Sequence, residues 1–178
     1  QVFLGTNLKC ASCHDSFIND WKLADSYALA AVFADGPLEI HRCNKPTGEM
    51  AKVGFIYPQL GKIDSAVAKP QRMRQLADLV TGEKNGRLAR TMVNRLWAQL
   101  FGRGIVENVD DMDQPPFSAD LLDWLAADLA QNDYDVKHTL RVLCTSRAYQ
   151  LPAVGAPRPD YANFVFHGPI LRLMTAEQ

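Results

Sequence analysis

The chain has no surplus of either charge. Its formal net charge is −1 at pH 7, which offers nucleic acid or an anionic membrane surface no electrostatic handle. Long hydrophobic runs are missing as well: none approaches the roughly twenty apolar residues of a membrane-spanning helix. No internal repeat or low-complexity tract stands out. A nucleophile–base arrangement, a phosphate-cradling glycine loop and a paired-carboxylate pattern are also lacking, so the residues leave open whether this is an enzyme. Cysteine is sparse, at four residues: Cys10, Cys13, Cys43 and Cys144.

What is there fits a globular protein with a sizeable core: 47% of the 178 residues are hydrophobic and 22% are charged. The most informative stretch is Cys10-Ala-Ser-Cys13-His14, the attachment signature of covalent c-type haem. Two thiols on one helical turn reach the two vinyl groups of a single porphyrin, and the following imidazole becomes the proximal iron ligand. Haem attachment places the protein in an exported compartment, the periplasm or cell envelope. Its function would then be electron transfer with a redox partner domain or protein. His41 and Met50 are the candidates for the opposite face of the iron. Zinc is the competing cofactor, on Cys10, Cys13, His41 and Cys43, although His-x-Cys is tight for a ligand pair and His14 is left unused. A structural or interaction domain with that zinc site, or with no cofactor, is the alternative to the haem reading. Cys43 and Cys144 are expected either as a disulfide or as buried thiols.

The elements predict a mostly α protein in two parts, residues 1–68 and 69–178, joined by a loop-rich segment containing short strands. A first helix carries the cysteine motif and ends near Asp15. A second runs from about Asn19 to Ala34 and stops at Gly36-Pro37. LEIHR and VGFIYP read as extended pieces broken by Lys45-Pro-Thr-Gly48. Helices follow over Gln71–Thr81 and Leu88–Phe101, the latter with Leu88, Met92, Leu96 and Leu100 along one face. Ser118 and Asp135 are the expected N-caps of two more helices, burying Leu121, Leu122, Leu125 and Leu129, then Val136, Leu140, Leu143 and Cys144. Arg90, Asn94 and Arg95 read as a solvated or interface face, with contact to haem propionates as the alternative. The run from Glu107 to Asp113 lacks the glycine and closing Glu of a calcium loop, and reads as solvated or capping. His138 is expected to face solvent. The chain opens without Met and closes on MTAEQ, which reads as the first turn of another helix, so a longer parent protein is expected.

With those residues laid out, the chain resembles a family of large exported planctomycete proteins. In them a cytochrome c domain is followed by a cytochrome-associated domain and then by a helical domain. FLGTNLKCASCHDSFINDWKLADSYALAAVFAD is similar to the end of the cytochrome-associated domain. RLARTMVNRLWAQLFGRGIVENVDDM, LLDWLAADLAQNDYDVKHTL and LCTSRAYQL are similar to the opening half of the helical one. Many members carry a second histidine in a CHDHPF-like run. Here Ser16 stands in its place, followed by Phe17, so any role of that imidazole is lost. The resemblance implies a cytochrome-linked, haem-bearing module without supplying a reaction.

Overall fold

The computed structural model describes residues 1–155 and 164–171. Its order is α1 (Leu23–Ala31), β1 (Glu39–Arg42), β2 (Lys45–Met50), a 3₁₀ turn (Pro58–Leu60), α2 (Lys69–Thr81), α3 (Arg87–Phe101), α4 (Ala119–Gln131) and α5 (Val136–Thr145). The protein is mostly α, with one two-stranded sheet. None of the described helices is long and apolar enough to cross a membrane. The described residues form two compact units. One holds Gln1 and Asn7–Asn85; the other holds Val2–Thr6 and the residues from Gly86 onward.

In the first unit the expected second helix is shorter at both ends. Its start at Leu23 is set by acids: Asp25 Oδ2 accepts from the Lys22 amide and Asp15 Oδ1 from the Leu23 amide, occupying donors that a helix N-terminus leaves open. Beyond its end, Arg72 of α2 donates to the carbonyls of Val32 and Ala34, a cation at the negative end of a helix. α2 buries no residue and groups with the chain before it. The compact units therefore divide after Asn85; the reading of elements along the chain divides it after residue 68.

The strands also differ from expectation. LEIHR supplies β1, but its partner is Lys45–Met50, the stretch read as a break, in an antiparallel hairpin with Glu39 opposite Met50 and His41 opposite Pro46. VGFIYP is not a strand; Phe55, Ile56 and Tyr57 are buried there. Gly48 at φ +79° explains how the Pro-Thr-Gly stretch pairs: glycine alone takes that backbone without steric cost.

The second unit is built on α3. Its buried stripe is Ala89, Val93, Trp97 and Phe101, packed with Ile105, Val106, Leu122, Leu125, Ala126, Leu129 and Leu143. Met92, Leu96 and Leu100 lie one position off this stripe and are half-buried. Periodicity found the face but missed its centre, because Trp97 and Phe101, stacked at 3.8 Å, carry the largest apolar area. α3 ends at Gly102, left-handed at φ +84°, the usual C-terminal stop.

Both expected caps are present. Ser118 accepts from the Leu121 amide, and Asp135 from the amides of Lys137 and His138. Cys144, expected inward, is exposed; fully buried Thr139 takes an inward place on α5 beside Leu143. Asn94 is also fully buried, and clamps Val106 by donating from Nδ2 to its carbonyl and accepting at Oδ1 from its amide, both at 2.9 Å. Gly104 makes the clamp possible, since a Cβ there would meet the Val106 carbonyl at 2.1 Å. The expected closing helix at MTAEQ lies outside the described residues.

Candidate functional site

The cysteine motif does not sit on a regular helix. Residues 9–14 form consecutive turns, closed by Ser12 N–H to Leu8 C=O at 2.9 Å and His14 N–H to Cys10 C=O at 3.2 Å. The run is too short to be propagated as a helix, since each turn must offset its own nucleation cost. Its shape comes from tethers. Ser26 of α1 donates to the Ala11 carbonyl at 2.5 Å, Ala11 is fully buried, and Asp15 caps α1.

Cys10 is half-buried and Cys13 exposed, and both thiols are free. His14 Nδ1 lies 2.7 Å from the Asp15 carbonyl. A carbonyl oxygen only accepts, so in the neutral ring Nδ1 carries the proton and Nε2 keeps its lone pair. This is the arrangement by which a ligating imidazole is oriented from its far nitrogen. The Phe17 ring packs on the imidazole at 4.6 Å between centroids. Phe17 itself is 86% exposed and Ile18 66% exposed, so apolar surface flanks the donors. Two accessible thiols, a metal-ready imidazole and uncovered apolar side chains suit the chemistry of a covalently held porphyrin.

The other candidate ligands lie on the β1–β2 hairpin. His41 Nε2 is 4.0 Å from Glu39 Oε2, and Met50 is 56% exposed. Among the described residues, no hydrogen bond or ring contact joins either of them to His14. The hairpin does reach the motif at its tip, where the Cys43 amide donates to the Cys13 carbonyl at 2.8 Å. Two of the four residues weighed for zinc thus meet through their backbones. Among the described residues, however, no three histidine, cysteine or acidic side chains gather as a metal site. Cys43 and Cys144 are both free and exposed, neither bonded nor buried.

The second unit binds its own charges. Arg90 pairs with Asp123, Arg95 with Asp110, Arg87 with Asp113 and Arg103 with Glu107. The acidic run read as a solvated loop is therefore largely a set of arginine partners, and Asp111 within it is buried. His138, expected in solvent, is half-buried, with Nε2 3.0 Å from Asp128 Oδ2.

Fold and site together define a mostly helical protein carrying an accessible Cys-x-x-Cys-His turn. Residues 72–178 match PSD1, described as a protein of unknown function (DUF1553), and the chain belongs to that family. Residues 1–37 match PSCyt2, described as a protein of unknown function (DUF1549). These are the planctomycete cytochrome-c-associated domains, with PSCyt2 at the front of the chain and PSD1 at its end. Neither the curated proteins nor the solved structures yield a match.

Proposed function

We propose that this chain is the haem-binding, electron-transfer module of a larger exported protein. The observation that carries the reading is the Cys10-x-x-Cys13-His14 turn with the His14 Nδ1 proton committed to the Asp15 carbonyl. The cytochrome association of both matched families supports it. Cys10 and Cys13 are assigned as the thioether anchors and His14 Nε2 as the axial ligand. The hydrogen bond at Nδ1 orients the ring, while Phe17 packs on one side of the imidazole. His41 and Met50 are assigned as candidates for the second axial position, because the hairpin that carries them is bonded to the motif at its tip. A bound haem supplies one-electron redox chemistry, at a potential set by its axial ligands and exposure. The partner is a redox domain or protein, and the location is the periplasm or cell envelope.

The test is intact mass and visible spectrum of the chain made in a host with haem-attachment machinery. The expected result is the mass of one added haem that survives acid and organic solvent and is lost in Cys10→Ala/Cys13→Ala. Colourless protein with both thiols alkylatable overturns the reading. Such protein carrying stoichiometric zinc would establish the structural alternative instead.

A further inference from the structure

The backbone bond between the hairpin tip and the cysteine motif carries a consequence of its own. The bond lengths along a single backbone N–H···O=C link of 2.8 Å hold the two Cα atoms within about 6.7 Å of each other. Disulfides span Cα separations of about 4.4–6.8 Å. Cys43 donates its amide to Cys13 at 2.8 Å, and both side chains are exposed free thiols. Cys43 also sits at φ +55°, a left-handed conformation that non-glycine residues rarely adopt. The hairpin therefore holds Cys43 in a left-handed turn with its backbone bonded to the motif.

We propose that Cys13 and Cys43 form a disulfide, a covalent site distinct from the Cys10–Cys13 pair of the motif. The oxidant is a disulfide of a small molecule or an oxidoreductase. One cysteine thiolate attacks a sulfur of that disulfide and expels the other sulfur as a thiol, leaving a mixed disulfide. The second cysteine then attacks the protein sulfur of the mixed disulfide, forming the Cys13–Cys43 bond and releasing the second thiol. Two protein thiols are oxidised and one external disulfide is reduced. In that state Cys13 has no S–H to add across a vinyl group, so the bond withholds one of the two thioether anchors. This last consequence rests on the haem reading; the disulfide itself does not.

The test uses the whole chain, first reduced and then exposed to oxidised glutathione, alkylated without reduction and digested with trypsin. Cleavage after Lys9, Lys22 and Arg42 separates Cys10 and Cys13 from Cys43. The expected product is a cross-linked peptide pair, lighter than the two free peptides by two hydrogens. It persists in Cys10→Ser and disappears in Cys13→Ser and in Cys43→Ser. Full alkylation of both Cys13 and Cys43, or a Cys10–Cys13 bond in the unaltered chain, overturns the proposal. The map on the unaltered chain needs no variant to fold.

In a haem-attaching host, oxidised unaltered chain should attach haem several-fold less than oxidised Cys43→Ser. Equal attachment overturns the anchor-withholding step. Absence of haem from every variant, reduced or oxidised, overturns the haem reading while the peptide map still decides the disulfide.

Discussion

The two units are held together by different physics. The second is a dry core in which Trp97 stacks on Phe101 and the leucines of α4 close over them. Around it Arg87, Arg90, Arg95 and Arg103 pair with acids of the same unit. The first has a thinner core of Ala11, Ala31, Val32, Ile40, Phe55, Ile56, Tyr57 and Ile63. It relies on bonds between side chains and backbone: Ser26 to the Ala11 carbonyl and the Leu23 amide to Asp15 at its cysteine turn, and Arg72 to the carbonyls after α1. Bulk apolar burial gives stability without chemistry. A site made of a half-buried Cys10, an exposed Cys13 and a half-buried His14 has little apolar burial to draw on, and is positioned by directional bonds instead.

The sharpest way to break this contrast is Trp97→Ala, which removes a nearly fully buried ring from the second unit. Chemical denaturation followed by circular dichroism should show a loss of about 3–5 kcal/mol. A loss below about 1 kcal/mol would mean the core is not what holds that unit. Next is Asn94→Leu, which keeps the volume but strips both partners from the Val106 amide and carbonyl. About 3 kcal/mol is expected, with faster hydrogen exchange at the Val106 amide. In the first unit Ser26→Ala should cost only about 1 kcal/mol. It should nonetheless raise the alkylation rate of Cys10, because the Ala11 carbonyl loses its tether. An unchanged rate would show that the turn is held by something else. Asp135→Ala removes an N-cap and should cost about 1 kcal/mol. The smallest effect belongs to Arg90→Ala, whose ion pair with Asp123 is solvent-exposed; a change within about 0.5 kcal/mol is expected.

Much of the fold was legible because its signals are local. Ser118 and Asp135 act as caps through amides two or three residues away, and Gly102 ends α3 through its own backbone freedom. The strands were less legible. Gly48 reads as a turn residue in isolation, and only the partner strand shows that Lys45–Met50 pairs with Glu39–Arg42. The motif turn was overread as a helix because helical spacing can be satisfied by a few tethered turns. Cys144 was placed inside by its position on α5, while fully buried Thr139 takes an inward place instead.

For the site, the sequence by itself determined the donor chemistry: two thiols and an imidazole in a fixed spacing, with Ser16 in place of a second histidine. Tertiary structure alone decided that Cys43 rather than Cys144 meets the motif, and that the acidic run is matched to arginines. The division has a physical cause. Periodicity, caps and turn residues act over a few neighbours, where sequence order is spatial order. A hydrogen bond between Cys13 and Cys43 joins segments that only become neighbours once the hairpin has folded back, and no local pattern encodes that approach.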